Sequence, residues 1–273
     1  MPTDNPLAFA KYHGTGNDFI LIDNRGSLWH EILSPQDIQQ LCHRRFGIGA
    51  DGLMFLENSP QADFHMRYYN ADGHEGSFCG NGGRCITAFA VSRGIQGPEL
   101  IFTAADGRHH ARHLPTEEVT LKMQDVSEVV PVKDGLWIDT GSPHLVVWSE
   151  NVAHFALDRE GPRLRHLAQF RPSGGVNVNV VQRPLDQNEV FLMRTFERGV
   201  EDETWSCGTG TVAAALASHH QAGGQPGAFQ YHFHTKGGLL SVSGQCSAPG
   251  SYYDIWLTGP TTFVFSGQVA LAR

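Results

Sequence analysis

The 273-residue sequence contains no apolar run approaching the ~20 residues that a membrane-spanning helix needs. It also lacks an excess of positive charge, since 20 Lys and Arg against 28 Asp and Glu give a formal net charge of −8. Such a chain is poorly suited to nucleic acid or an anionic membrane surface. The first residues, Met1-Pro-Thr-Asp-Asn-Pro, have neither the basic segment nor the apolar core of a signal peptide. We therefore expect a cytoplasmic protein with neither nucleic-acid nor membrane partners.

Cysteine is scarce, and the usual metal and nucleotide motifs are missing. The five cysteines form no Cys-x-x-Cys pair, and no His-Glu-x-x-His occurs. His110 with His113, and His232 with His234, have workable ligand spacing, but 15 histidines produce such pairs by chance. The Gly-x-Gly patterns do not continue to the third glycine of a dinucleotide-binding turn. The sequence therefore predicts neither a metal site nor a bound cofactor.

The sequence does contain a cysteine motif that occurs in two similar copies. Cys79-Gly-Asn-Gly and Cys207-Gly-Thr-Gly each have a glutamate four residues before the cysteine, Glu75 and Glu203. Each segment follows a β-like run and precedes a helical pattern of apolar residues. The two runs are residues 64–69 and 190–196. This repetition indicates an internal duplication at the scale of a domain.

Both cysteines stand where a helix begins. The first helical pattern ends at Gly94 and the second at Gly223-Gly224. Unsatisfied N–H groups and the helix dipole favour an anion at a helix N-terminus. The anion can be a thiolate, because this position lowers a cysteine pKa from about 8.5, or the carboxylate of a ligand.

The rest of the chain follows the same duplicated order. The glycine turn and strand at Gly16-Asn17-Asp-Phe align with Gly141-Ser142-Pro-His, and a second glycine turn precedes a strand in both halves. The polar segment from Val126 to Asp134 is the best candidate for a linker. We therefore predict an α+β protein of two similar domains, each made mostly of strands around one helix.

Two thiols on opposite sides of a carbon atom suit the inversion of a stereocentre. One thiolate removes a proton from one face while the other thiol delivers a proton to the opposite face. Free cysteines are more often small buried hydrophobes, and we assign that role to Cys42, Cys85 and Cys246. For Cys79 and Cys207 the repeated Gly-x-Gly favours the functional interpretation, although a disulfide between them stays open.

With these motifs in the same order along nearly the whole chain, the sequence resembles the diaminopimelate epimerase family. The matching stretches are His13-Gly-Thr-Gly-Asn-Asp-Phe, Phe46-Gly-Ile-Gly-Ala-Asp-Gly, Asn70-Ala-Asp-Gly, Cys79-Gly-Asn-Gly-Gly-Arg-Cys, Gly141-Ser-Pro-His, Asn177, Phe196-Glu-Arg-Gly and Cys207-Gly-Thr-Gly. The resemblance implies a cofactor-independent enzyme that interconverts LL- and meso-diaminopimelate, as a homodimer. It also implies two pseudo-symmetric domains, each a mixed β-barrel or sheet wrapped around a central helix. Their expected bounds are 1–126 plus about 262–273, and 127–261.

The resemblance further implies a role for each matching residue. Cys79 and Cys207 would be the catalytic acid/base pair, and His144 and Glu197 would tune or assist the thiols. The main-chain N–H groups of four helix-start residues would hold the reacting carboxylate: Gly80, Asn81, Gly208 and Thr209. The distal amino-carboxylate end would be read by Asn17, Asn70, Asn177 and Arg198. Ser142 and Glu197 would be further substrate contacts.

Two positions depart from the family pattern, and two other functions stay open. Ser142 stands where many members carry asparagine, and Gly52 where many carry glutamine, which affects substrate contacts and not the chemistry. The nearest alternative is a proline or hydroxyproline racemase of the same fold, for which Arg198 would lack a purpose. A non-enzymatic thiol–disulfide switch that uses Cys79 and Cys207 is the second alternative.

Overall fold

The computed structural model describes residues 6–26, 29–184 and 189–271. The strands are β1 (Leu7–Gly14), β2 (Asn17–Asp23), β3 (Gly52–Glu57), β4 (Phe64–Asn70), β5 (Leu100–Ala104), β6 (Gly107–His113), β7 (Glu118–Lys122), β8 (Val130–Val132), β9 (Gly135–Asp139), β10 (Pro143–Trp148), β11 (Asn177–Gln182), β12 (Val190–Glu197), β13 (Asp202–Thr204), β14 (Gly227–Thr235), β15 (Gly238–Ala248), β16 (Ser251–Pro260) and β17 (Thr262–Val269). The α-helices are α1 (Trp29–Ile32), α2 (Pro35–Cys42), α3 (Gly80–Ser92), α4 (Leu157–Arg165) and α5 (Gly208–Gln221). Two 3₁₀ helices span Val152–His154 and Ala168–Ser173.

The chain divides into two compact units. The first unit comprises Met1–Leu121 and Pro260–Arg273, and the second comprises Lys122–Gly259. The last strand, β17, pairs antiparallel with β1, so the C-terminal segment belongs to the first unit.

The first unit is a mixed sheet in which consecutive strands lie side by side. β1 and β2 pair antiparallel, β2 and β3 parallel, β3 and β4 antiparallel, and β4 and β5 parallel. β5, β6 and β7 complete the unit as an antiparallel meander. The alternation of antiparallel and parallel pairs gives this half a recognisable signature.

The second unit repeats this signature strand for strand. β9 and β10 pair antiparallel, β10 and β11 parallel, β11 and β12 antiparallel, and β12 and β14 parallel. β14, β15 and β16 form the closing antiparallel meander, while the short β13 is added beside β12. The duplication predicted from the sequence is thus confirmed in the strand order.

A single long helix lies inside each unit. In α3 every residue from Asn81 to Ala90 is buried, and in α5 every residue from Gly210 to Ser218 is buried. A helix that is buried on all sides must be enclosed by the strands around it, because an amphipathic helix would leave one face in water. Each unit is therefore a mixed sheet wrapped around a central helix, as predicted.

The ends of these helices follow the sequence signals. Gly94, just beyond α3, has φ of 87°, and Gly223, just beyond α5, has φ of 106°. A residue with a side chain rarely adopts this left-handed conformation, so glycine is the natural stop signal. The shorter helix α2 begins after the cap residue Ser34, whose side chain accepts a hydrogen bond from the Asp37 N–H.

The polar segment from Val126 to Asp134 is more ordered than a linker. Val126 bridges to Tyr252, and β8 within this segment pairs antiparallel with β9. The candidate linker is therefore part of the second unit, because local polarity says nothing about pairing with distant strands.

Among the described residues, no helix has the length and apolar character needed to cross a bilayer.

Candidate active site

Cys79 and Cys207 occupy the same place in their units. Each is the N-cap residue of the central helix and has extended backbone angles, with φ and ψ of −118° and 120° for Cys79 and −129° and 112° for Cys207. Each carbonyl oxygen accepts the first helical hydrogen bond, from Gly83 N–H at 2.7 Å and from Thr211 N–H at 2.9 Å. Both side chains therefore stand at the positive end of a helix, as the sequence predicts.

The other three cysteines are buried, as predicted. Burial raises the pKa of the Cys42 thiol to about 12, and it does the same for Cys85. Burial also raises the pKa of the Cys246 thiol. All five cysteines are free thiols in the structure. These three thiols are protonated and unreactive at neutral pH.

Asn17 lies beside Cys79 in the first unit. Its Oδ1 atom accepts a hydrogen bond from Asn81 Nδ2 at 3.3 Å and lies 3.5 Å from Cys79 Sγ. Its Nδ2 atom donates to Asp51 Oδ2 at 2.7 Å. A carboxylate can only accept, so Asp51 fixes which end of the Asn17 amide faces the thiol. Asn17 and Asn81, two predicted site residues, are thereby brought together around Cys79.

Asp51 belongs to an ion-pair network that the sequence analysis missed. Arg44 contacts Asp51 at 2.6 Å and Asp18 at 2.8 Å, and the buried Lys11 contacts Asp18 at 2.7 Å. Burial alone would raise the pKa of Asp18, but Arg44 and Lys11 together hold it well below its usual range. Asp18 is therefore ionised, and the two carboxylates together anchor the glycine turns from which Asn17 projects. The one sequence signal that could have indicated a role for Asp51 was its position in a glycine turn.

The surroundings of Cys207 in the second unit are simpler. Cys207 Sγ lies 3.6 Å from the Thr209 hydroxyl oxygen, and the thiol is 7% exposed. The Thr140 hydroxyl donates to the main-chain oxygen of Thr209 at 3.0 Å. Thr140 thus ties the turn before β10 to the start of α5.

Three predicted site residues of the second unit form one hydrogen-bonded chain. Asn177 Nδ2 donates to Ser142 Oγ at 2.9 Å and to Pro143 O at 3.1 Å. Asn177 Oδ1 accepts from the Arg198 main-chain N–H at 2.8 Å, while Arg198 Nη1 donates to Ser173 O at 2.9 Å. Both hydrogens of the Asn177 amide are committed, so this residue can offer a ligand only an oxygen lone pair. Ser142, which accepts from Asn177, keeps its hydroxyl hydrogen to donate.

His144 is completely buried in the second unit and is held as a neutral ring. Its Nδ1 atom lies 2.8 Å from Asn179 Oδ1, and the Asn179 Nδ2 atom donates to Thr195 Oγ1 at 2.9 Å. Burial lowers the pKa of His144 to about 4, opposed by the Asn179 hydrogen bond and assisted by the charge of Arg198. Nδ1 therefore carries the proton, and Nε2, which has no partner among the described residues, presents a lone pair. Asn179 was missed, although it lies two residues after Asn177 and so on the same face of β11.

Asn70 and Glu197 end the equivalent strands β4 and β12. The main-chain N–H of Asn70 donates to His74 O at 2.9 Å, and the main-chain oxygen of Glu197 accepts from the Glu201 N–H at 2.9 Å. Asn70 is exposed and Glu197 is half-buried. Both residues thus close a strand next to the loop that leads to a cysteine, as the duplicated motif predicts.

The repeated glutamates each lie near an arginine of the preceding strand. The Arg194 side chain forms an ion pair with Glu203 at 2.8 Å, and the Arg67 side chain lies 3.6 Å from Glu75. The arginines hold equivalent positions on β12 and β4. Two hydrogen bonds from Arg194 therefore fix the Glu203 loop to the preceding strand, whereas Arg67 donates to Glu57 and makes only a longer ion pair with Glu75.

The histidine pairs considered for metal binding have other neighbours. His110 Nδ1 lies 2.7 Å from Glu99, and His232 Nδ1 lies 2.7 Å from the Ser241 hydroxyl. In the parts of the chain that the structure describes, no group of three or more histidine, cysteine or acidic side chains is placed to hold a metal ion.

The sequence model of the diaminopimelate epimerase family matches residues 9–133 and 136–263. A diaminopimelate epimerase from Flavobacterium psychrophilum is 43% identical over 263 residues, covering 96% of this chain and 100% of that protein. A diaminopimelate epimerase from Chlorobaculum tepidum is 40% identical, covering 94% of this chain and 99% of that protein.

Solved structures with the same fold are more distant in sequence. A PhzF-family phenazine biosynthesis protein from Bacillus anthracis has a TM-score of 0.74 at 15% identity, covering 99% of this chain and 100% of that chain. A hydroxyproline epimerase from Agrobacterium vitis has a TM-score of 0.64 at 16% identity, covering 99% and 94% of the two chains. At this level of identity, the likeness concerns the fold alone.

Proposed function

Because the chain belongs to the diaminopimelate epimerase family, we propose that it is an isomerase that interconverts LL- and meso-diaminopimelate. The observation that carries this proposal is the duplicated helix start. Two equivalent units each place one cysteine at the N-terminus of a buried helix, followed by Gly-x-Gly. The other three cysteines are buried thiols of high pKa, which leaves Cys79 and Cys207 as the candidates for acid/base chemistry.

The proposed reaction is a proton exchange at one α-carbon, and it requires both thiols to reach that carbon from opposite faces. One thiolate takes the Cα proton and becomes a thiol, and the C–H electron pair moves onto the substrate. The other thiol then gives its proton to the opposite face and becomes a thiolate. The reverse reaction exchanges the two roles, so no net acid or base is consumed.

The starts of α3 and α5 are suited to the reacting carboxylate. Gly80 and Asn81 are the first two residues of α3, and Gly208 and Thr209 are the first two of α5. N–H groups in the first turn of a helix have no acceptor within the helix, and the dipole adds positive potential there. We propose that these groups hold the carboxylate and stabilise the negative charge that develops beside it.

The distal amino-carboxylate end would be recognised by polar side chains. Arg198 can grip a carboxylate, and its guanidinium is oriented by Ser173 O. Ser142 can donate its hydroxyl hydrogen to the same carboxylate, in place of the amide that many relatives have there. We propose that Asn17, Asn70 and Asn177 supply oxygen acceptors for the distal ammonium group.

His144 and Glu197 complete the proposed site. The lone pair of His144 Nε2 can accept a hydrogen bond from the ammonium group beside the reacting carbon. Glu197 is the residue before Arg198, and its carboxylate would balance positive charge on the substrate. A neutral His144 is required, because an imidazolium could not accept.

We also propose that the enzyme works without a cofactor or metal, as a homodimer in the cytoplasm. The two thiols, the helix N-termini and the polar side chains supply a base, an acid and charge stabilisation, which are the parts the reaction needs. Activity that survives exhaustive dialysis against EDTA would support the metal-free reaction. Loss of activity that a single metal restores would contradict it, and size-exclusion chromatography with light scattering tests the dimer.

The experiment that tests the function uses the reduced protein in deuterated water. Samples receive LL-diaminopimelate, meso-diaminopimelate or L-proline, and NMR follows exchange of the α-proton. Exchange on both diaminopimelate isomers and none on proline is the expected result. Exchange on proline alone would establish a racemase of the same fold and overturn the proposal. Exchange on no substrate, with reversible oxidation of the two thiols, would favour a thiol switch.

A further inference from the structure

Arg84 is a charged residue in the middle of the first unit. It lies in α3, one turn beyond Cys79, and its side chain is 0% exposed. Among the described residues, Arg84 is the largest side chain that is fully buried. A buried arginine is rare unless a carboxylate accompanies it, because an arginine stays charged in proteins and the charge loses its hydration.

No carboxylate accompanies Arg84 among the described residues. Its Nη2 atom donates to Asn81 Oδ1 at 2.9 Å and to Thr15 Oγ1 at 3.1 Å, which are both neutral acceptors. Its Nε and Nη1 atoms have no hydrogen-bond partner in that part of the chain. Burial lowers the pKa of Arg84, and the thiolate forms of Cys85 and Cys79 are the charges that oppose this shift.

Only one of those two thiols can supply a negative charge at neutral pH. Burial raises the pKa of Cys85 to about 12, so this thiol keeps its proton. Cys79 is half-buried at the helix N-terminus. The charge that would balance Arg84 is therefore a thiolate at Cys79.

The other titratable groups around α3 do not replace it. Asp18 and Asp51 are nearby, but Arg44 and Lys11 already pair with them. Other titratable groups packed against this helix or next to Cys79 in the described residues include Tyr12 on β1, Tyr68 on β4 and His109, whose ring stacks on that of Phe78 with centroids 3.8 Å apart. Burial raises the pKa of Tyr68, which keeps that side chain neutral.

The position equivalent to Arg84 in the second unit carries an apolar residue. Val212 stands five residues after Cys207, as Arg84 stands five residues after Cys79. Thr140, the equivalent of Thr15, donates directly to the main-chain oxygen of Thr209 and needs no arginine to join the turn to the helix. The two cysteines therefore share a backbone position but differ in the residue five positions later, which is a buried arginine after Cys79 and a valine after Cys207.

We propose that Arg84 is a positioning residue that makes Cys79 the more acidic thiol of the pair, so that in the unliganded protein Cys79 is the thiolate and Cys207 the thiol. Arg84 acts in two ways. Its charge stabilises the thiolate through the buried interior, where screening is weak. Its hydrogen bonds to Thr15 and Asn81 fix the turn and the helix start next to Cys79. The thiol form of Cys79 can donate weakly to Asn17 Oδ1, but a sulfur hydrogen bond is weaker than the effect of a buried full charge.

This inference concerns the pair that the proposed function makes catalytic, but its test needs no turnover. Cys79 is measured in the Cys207→Ala variant and Cys207 in the Cys79→Ala variant, each reduced and free of substrate. Limited alkylation with iodoacetamide between pH 5 and pH 10, followed by mass spectrometry of the cysteine peptides, gives the apparent pKa of each thiol. We expect Cys79 to titrate at least about one unit below Cys207. Equal values, or a lower value for Cys207, would overturn the proposal whether or not the protein is an epimerase.

Two substitutions then assign the difference to Arg84. Arg84→Met keeps the length of the side chain without its charge, and we expect the apparent pKa of Cys79 to rise by about one unit or more. Arg84→Lys keeps the charge and should leave that pKa within about 0.3 units of the starting value. Cys207, measured with each substitution in the Cys79→Ala background, serves as the control, and its apparent pKa should not change. A Cys79 pKa that stays unchanged in a folded Arg84→Met protein, or a shift of both thiols together, would contradict the role of Arg84. If Arg84→Met does not fold, Arg84→Gln removes the same charge with a polar side chain and takes its place, with the same expected rise in the apparent pKa of Cys79.

Discussion

His144 occupies in the second unit the strand position that Phe19 occupies in the first. Phe19 on β2 pairs with Gly52 on β3, and His144 on β10 pairs with Asn177 on β11. Both side chains are 0% exposed. One copy of the duplicated strand has thus kept an apolar residue where the other carries a neutral imidazole.

This relationship predicts an acid-sensitive stability. His144 has a pKa of about 4 in the folded state against an unfolded value of 6.5, so the unfolded chain binds the proton more readily. The resulting loss of unfolding free energy is absent above about pH 6.5, grows as the pH falls and levels off below about pH 4. It amounts to about 3 kcal/mol of unfolding free energy.

The matched control takes its residues from the first unit. Met54 on β3 holds the position that Asn179 holds on β11, so the double substitution His144→Phe with Asn179→Met copies the apolar pair of the other half. Urea unfolding between pH 4 and pH 7 should show the loss in the wild type and a flatter profile in the double variant. Parallel profiles of the two proteins would contradict the buried neutral histidine.

The glycines of the two helix starts should differ in how well they tolerate substitution by alanine. A Cβ atom on Gly210 would lie 2.3 Å from Asn179 Nδ2, whereas one on Gly82 would meet the flexible end of Met54. Gly210→Ala should displace Asn179 and with it His144, and so lower both turnover and stability, by about 1–3 kcal/mol for stability. Gly82→Ala serves as the matched control and should cost less. The check is turnover and thermal unfolding of both variants, and a greater loss in Gly82→Ala would be inconsistent with this packing.

The thiols themselves give the third prediction. Cys79→Ala and Cys207→Ala should each abolish epimerisation, because each removes the acid or base for one face of the carbon. Cys42→Ala and Cys246→Ala, which alter buried thiols, should retain turnover per folded molecule. Near-normal turnover in either of the first two variants would rule out the two-base reaction.

Specificity gives the fourth prediction. Arg198→Ala should reduce kcat/KM for diaminopimelate by roughly 30- to 1000-fold, equivalent to about 2–4 kcal/mol, through loss of a charge-assisted contact. Arg198→Lys keeps the charge but not the two-pronged geometry and should fall between the two proteins. Steady-state kinetics with LL-diaminopimelate measures both, and alkylation of Cys79 should be unchanged. A loss of less than about threefold in Arg198→Ala would place the distal carboxylate elsewhere.

Much of this architecture could be predicted because it depends on local signals. The glycines that stop α3 and α5, the Ser34 cap and the repeated Cys-Gly-x-Gly each act within one helical turn. The duplication then served as internal confirmation, since each half predicts the strand order of the other.

The features of the fold and the site that could not be predicted depend on contacts between distant parts of the chain. The apolar positions of α3 at Cys85, Ile86, Phe89 and Ala90 indicate a helix with one buried face, but surrounding strands enclose it completely. Arg84 is therefore buried where helical spacing alone would leave it in water. The pairing of Arg44 with Asp18 spans 26 residues, and no sequence pattern of either residue indicates it.

The most direct test of the central claim is the origin of the hydrogen delivered in a single inversion. Epimerisation of LL-diaminopimelate is started in deuterated water and stopped at low conversion, and NMR measures deuterium at Cα in substrate and product separately. With two thiols, the donor is already exchanged with solvent, so the meso product carries deuterium while the remaining LL substrate keeps its proton. A product that retains the substrate proton would show that a single base serves both faces and would contradict the account.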